Sequence, residues 1–195
     1  MRTALLIIGS ALPVFASLAY VLSIVRGKSR PERMTRFLLV VITALMVASL
    51  WATDDTSGIW LAWVSFVQAI FIFGLSLKYG MGGRDRLDYA CLALCGVGIG
   101  LWLLSDWPWM GLIASIAADC IAMIPALRKT IRLPHTELTL FYAVDTFAGL
   151  FILFAGPYTL KAMALPAYIA AINFAFVLAI EWPRRQPVPT AETEV

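Results

Sequence analysis

SIVRGKSRPERMTRFLLVV, residues 23–41, sets five basic side chains between two apolar runs. The preceding run spans 4–25 and the following one 37–53. As a helix, each is about long enough to cross a hydrocarbon layer of ~30 Å at about 1.5 Å per residue. A helix that hides its backbone polarity from lipid stops where charge begins, so Arg26 and Arg36 mark membrane–water boundaries. Outward from this arm, further apolar runs lie at 59–77, 89–105, 109–127, 138–155 and 163–182, which makes seven. The predicted fold class is all-α, a polytopic membrane protein of seven transmembrane helices.

The same basic residues predict orientation. With the N-terminus outside, Arg26, Lys28, Arg30, Arg33, Arg36, Lys78, Arg84, Arg86, Arg128, Lys129, Arg132, Arg184 and Arg185 fall on the cytoplasmic side. Only Arg2 and Lys161 of the 15 Lys and Arg fall opposite, which predicts N-out, C-in. A composition 61% hydrophobic with a mean hydropathy of +0.85 agrees with one membrane domain over 1–182. The net charge of +3 reads as an orientation signal with contact to anionic lipid, and nucleic acid is not an expected partner. The expected location is a bacterial inner (plasma) membrane. The first run continues through Val25 into a basic loop, so it reads as a retained helix rather than a cleaved signal.

The loops differ by side. Ala52–Gly58 with Asp54 and Asp55, Ser105–Pro108 with Asp106, and Gly156–Lys161 are short, whereas the other side carries the Lys78–Asp88 segment and the basic arms 26–36 and 128–137. The tail 183–195 reads as disordered and cytoplasmic. A shift of 103 residues lays Arg26 on Lys129, Pro31 on Pro134 and Phe37 on Leu140. It also superimposes the first three helices on the last three. The expected plan is repeat 1 over 4–78, a linker helix over 89–105 and repeat 2 over 109–182. Because the linker inverts the chain once, the repeats are parallel, related by an axis along the membrane normal.

This plan, together with Pro125, Arg128-Lys129 and Glu137 at the end of the fifth helix, resembles the SWEET and PQ-loop membrane family. Ala126 stands where the family's signature carries glutamine, and Leu22 occupies the matching proline position in the first half. The resemblance implies a transporter of a sugar-like or similar small metabolite.

Polar residues inside the apolar runs supply the candidate site. Asp119, Asp145, Gln68, Asn173 and Ser17 come from five helices and fall at similar depths near the midplane. Carboxylates in hydrocarbon are costly, so they face a bundle interior or a water-filled cavity. The expectation is a binding site for a small polar solute in which the paired carboxylates can bind a proton. The competing reading joins helices structurally, with Asp119 bonded to Asn173 and Asp145 to Tyr142 or Thr146. Pro13 and Pro125 are hinge candidates, with an end to the fifth helix as the alternative at Pro125. Gly96 and Gly100 form a GxxxG expected to pack the linker against a repeat. The tryptophans read as interfacial anchors, with Trp60 and Trp63 also able to line an outer vestibule.

Other chemistries find little support. Cys91, Cys95 and Cys120 lie within helices with no CxxC spacing, and His135 stands alone beside Pro134, so no metal and no cofactor are expected. No lysine lies inside the last helix for a Schiff base, and no hydrolytic triad or phosphate loop is present. The chain therefore reads as a transporter and not an enzyme, with the lipid bilayer and a small solute as partners and homo-oligomerisation open. Two alternatives stay open: a receptor or assembly factor binding head groups or a protein, and an aspartyl hydrolase using Asp119 and Asp145.

Overall fold

The structure, a computed structural model, describes residues 2–52, 56–82, 86–104 and 108–185. Among these residues the chain forms α1 (Arg2–Val25), α2 (Arg33–Ala52), α3 (Thr56–Tyr79), α4 (Arg86–Leu103), α5 (Pro108–Arg132), α6 (Thr139–Ala155) and α7 (Leu160–Arg185), with a 3-10 turn at Pro134–Thr136. Asp54, Asp55, Arg84, Asp106, Trp107 and the tail beyond 185 lie outside the described residues.

Each of the seven apolar runs falls on a helix. Four contain segments long and apolar enough to cross a membrane: Ala4–Val25, Ile59–Tyr79, Met110–Arg132 and Ala162–Trp182. α6 is apolar but shorter, at 17 residues. Phe15, Trp60, Phe71 and Trp182 are exposed on the outside of the bundle, a distribution suited to lipid rather than water. The chain is a helical integral membrane protein. Helix ends differ from the sequence reading in one useful respect: α5 runs through Pro125 to Arg132, so Arg128, Lys129 and Arg132 sit on its last turns rather than in a loop.

The ends of α1 and α2 follow from the residues between them. Gly27, at φ 72°, takes the left-handed conformation that closes a helix. Its N–H donates to the carbonyl of Ile24 at 2.9 Å, and Lys28 N–H to that of Ser23 at 2.9 Å, the paired bonds of a Schellman cap. Glu32 then starts α2, accepting from Thr35 N–H at 2.6 Å and from Met34 N–H at 3.2 Å. Its negative charge there complements the helix dipole.

Packing is pairwise. α1 lies along α6 and α6 along α7; α2 lies along α3 and α5, and α4 packs chiefly on α5. Smaller contacts join α1 to α3 and α5 to α7. Glycine sets two of these approaches. A Cβ on Gly9 would sit 2.8 Å from Ile152 Cγ1, and one on Gly149 would sit 2.9 Å from both Ala170 N and Pro166 O. Gly96 and Gly100 behave differently: a Cβ on either meets nothing within 4 Å among the described residues, so the GxxxG of α4 is not a close-packing seam between described parts of the chain. One buried cluster joins α2, α4 and α5 through Ile42, Met46, Cys95 and Ala122; another joins α1, α6 and α7 through Ala16, Phe141 and Phe176.

The three basic connections meet at one end of the bundle. Arg30 N–H donates to Thr136 O at 3.0 Å, and Met81 N–H to Pro31 O at 3.0 Å. Lys129 Nζ reaches Arg30 O at 2.7 Å, and Arg33 Nε reaches Ser76 O at 3.0 Å.

Candidate functional site

A cavity of about 90 Å³ lies where α2, α3, α5, α6 and α7 converge. Each helix presents one face to it. Arg36, Leu39, Thr43 and Met46 follow helical spacing on α2, and Ser65, Gln68, Ala69 and Ile72 do so on α3. Asp119 and Met123 come from α5, Tyr142 and Asp145 from α6, and Ile169 and Asn173 from α7. Apolar groups make up most of the wall. Half of the lining residues carry polar groups, and these are drawn from every contributing helix, as in a site that orients a small ligand.

The two carboxylates have different surroundings. Asp119 Oδ2 accepts a short hydrogen bond from the Tyr168 hydroxyl, which ties α5 to α7. Asp145 Oδ2 accepts from Gln68 Nε2 at 3.4 Å, a long bond across α3 and α6, and its Oδ1 is buried without a partner among the described residues. Asn173 turns its Nδ2 back to Ile169 O at 2.9 Å on its own helix. Asp119 thus bonds Tyr168 rather than Asn173, and Asp145 bonds Gln68 rather than Tyr142 or Thr146. Thr146 Oγ1 instead donates to Tyr142 O at 2.8 Å.

Ser17, the remaining candidate, does not line this cavity. Its hydroxyl donates to Pro13 O at 2.7 Å, and it borders a separate apolar groove between α1 and α3 together with Trp60 and Trp63. Those tryptophans therefore flank that groove and not a polar vestibule. Pro13 and Pro125 both lie inside helices, so Pro125 does not end α5. Proline there removes the N–H that would bond Ile121 O and weakens the next rung at Ala122. Thr35 Oγ1 from α2 donates to Ala122 O at 3.0 Å, replacing part of what the helix loses.

Toward the basic end, the cavity is backed by a buried network. Arg36 Nη2 donates to the hydroxyls of Tyr20 at 3.2 Å and Tyr142 at 3.4 Å. Those hydroxyls donate in turn to Glu137 Oε2 at 2.7 and 3.1 Å. Glu137 Oε1 pairs with Lys129 Nζ at 2.5 Å. Tyr20, Tyr142, Glu137 and Arg36 are all buried, so the network closes the space between the cavity and the basic loops. Arg36 Nε, like Asp145 Oδ1, is buried without a partner among the described residues.

The sequence reading placed Arg36 among the orientation charges and missed its inward face. A signal was present. Arg36, Leu39, Thr43 and Met46 recur at i, i+3, i+7 and i+10, so the arginine shares the stripe carrying α2's polar threonine. Tyr20, Tyr142 and Glu137 gave no such signal, because their convergence depends on α1 lying against α6. Cys91 and Cys95 are buried, with Cys95 Sγ donating to Ala118 O at 3.2 Å, whereas Cys120 faces outward. No group of His, Cys, Asp and Glu able to hold a metal occurs among the described residues. No protein-family model, curated protein or solved structure matches the chain.

Proposed function

We propose that this chain is a seven-span transporter or facilitator that moves a small polar solute by alternating access about the central cavity. The observation that carries the reading is the cavity itself: Gln68, Asp119, Asp145 and Asn173 line one space from four helices, with Arg36 from a fifth. Polar groups that served only to join helices would pair off in a dry core. Here Asp145 Oδ1 and Arg36 Nε are buried with no hydrogen-bond partner among the described residues, on two side chains that line the cavity.

The helix pairing supports a parallel repeat of α1–α3 and α5–α7 with α4 as linker. Exchange of α1 with α5, α2 with α6 and α3 with α7 turns the α1–α6 contact into α5–α2, α2–α3 into α6–α7, and α1–α3 into α5–α7. The 103-residue shift also maps the buried pair Leu38 and Thr43 onto the buried pair Phe141 and Thr146. Both threonines bond back to the carbonyl four residues earlier, at 2.6 Å to Leu39 and 2.8 Å to Tyr142. The cavity lies between the two halves, where rocking of one against the other opens it to alternate faces. The meeting of the three basic connections at one end fits N-out, C-in. A SWEET-like or PQ-loop-like transporter is the family reading consistent with this plan.

The hydrolase reading is the weaker one. A catalytic aspartyl pair shares a proton between adjacent carboxyls, whereas Asp119 and Asp145 have separate partners in Tyr168 and Gln68. Purified protein reconstituted in liposomes and tested by counterflow against a panel of labelled polar solutes decides the matter. Protein-dependent exchange of at least one solute is expected, and its absence across sugars, polyols, amino acids and carboxylic acids would refute transport.

A further inference from the structure

We infer that the solute is a small zwitterion, with its cationic group held by Asp145 and its anionic group by Arg36. This rests on the cavity being a solute site, as proposed above, but it narrows the chemistry beyond polarity. The two side chains line the same cavity, are both more than nine-tenths buried, and each keeps one polar atom without a partner among the described residues: an acceptor, Asp145 Oδ1, and a donor, Arg36 Nε.

The neighbours of each group leave that complementarity intact. Arg36 is held by the hydroxyls of Tyr20 and Tyr142, which set Glu137 one hydroxyl away, where it pairs with Lys129 rather than directly with the guanidinium. Asp145 has one long bond from the neutral amide of Gln68. Asp119, the other acid on the wall, has one oxygen bonded by the Tyr168 hydroxyl and is a second acidic group beside Asp145. A neutral polyol would give neither the guanidinium nor the carboxylate a directly contacting opposite charge. A simple anion would meet two acidic residues, and a simple cation would meet the arginine. A molecule carrying both signs matches both walls. The guanidinium favours a carboxylate because its N–H groups fit the two oxygens. A cavity of about 90 Å³ suits a small solute.

Arg36 also links occupancy to the closed end. It lines the cavity and reaches the Tyr20–Tyr142–Glu137 network through Nη2, so an anion drawn to it bears on the groups that separate the site from the basic loops.

The test is calorimetric binding to the full chain in lipid nanodiscs, with glycine, L-alanine, glycinamide, acetate and glycerol as probes. Wild type is expected to bind glycine or alanine about tenfold or more tightly than glycinamide, acetate or glycerol, because each control leaves a buried charge unmatched. Asp145→Asn should abolish the advantage of glycine over acetate. Arg36→Gln should abolish its advantage over glycinamide, and Arg36→Lys, which keeps the charge in case the glutamine variant misfolds, should retain part of it. Equal binding of glycine and glycerol by wild type, or no binding of either zwitterion, would overturn the inference. Glycine bound but never exchanged across liposomes would remove the transport reading and leave this one. Exchange of a neutral solute without zwitterion binding would do the reverse.

Discussion

Lys129 Nζ and Glu137 Oε1 lie 2.5 Å apart across the turn between α5 and α6, and the opposite oxygen of Glu137 takes the hydroxyls of Tyr20 and Tyr142. One carboxylate therefore joins α1, α5 and α6 below the cavity. Removing it leaves a partly buried ammonium with only the Arg30 carbonyl and two buried tyrosines without their acceptor. Glu137→Ala should destabilise the protein by about 3–5 kcal/mol, measured by thermal unfolding in detergent. The double variant with Lys129→Met should cost less than the sum of the single changes, because the partners are then removed together. Strictly additive losses would show that the pair is not a unit.

The proline in α5 gives a second prediction. Thr35→Val removes the donor to Ala122 O and should cost about 0.5–2 kcal/mol. In a Pro125→Ala background, where the backbone N–H returns and the helix satisfies its own carbonyls, the same change should cost clearly less. An undiminished penalty in that background would show that Thr35 does not compensate for the proline.

Glycine substitutions separate close packing from open surface. Gly149→Ala places a methyl 2.9 Å from Ala170 N and Pro166 O, backbone atoms that cannot rotate away. It should destabilise the α6–α7 contact by about 1–3 kcal/mol. Gly96→Ala meets nothing within 4 Å and should leave the melting temperature unchanged or slightly raised. The reverse ranking would contradict the packing described.

Much of this fold was legible because lipid imposes a simple rule: backbone hydrogen bonds close within each helix, so apolar runs such as 109–127 and 163–182 report helices directly. Depth was legible too, since rise per residue placed Asp119, Asp145, Gln68 and Asn173 in one slab. Direction around each helix was not. Ser17 has the right depth but points to the α1–α3 groove, and Arg36 was read by its position at a helix end rather than by the face it shares with Thr43. The Glu137 network was hidden for a further reason: Tyr20 and Glu137 are 117 residues apart, and only the lateral packing of α1 on α6 brings them together.

Orientation is checked by single cysteines in a background lacking the native thiols. Cysteines introduced at Asp54 and Lys161 should react with an impermeant reagent applied outside intact cells, and ones at Lys28 and Arg132 only after permeabilisation. The opposite pattern would reverse the assignment of faces.

Alternating access is tested most directly by a cysteine at Thr43, on the cavity wall, in the same background. In sealed vesicles of defined orientation, an impermeant thiol reagent should reach it from either face, and a bound solute should slow the reaction from both. A site unreactive from either side would mean a dry structural core, and a site reactive from one side alone would mean a receptor pocket; either result would contradict transport through this cavity.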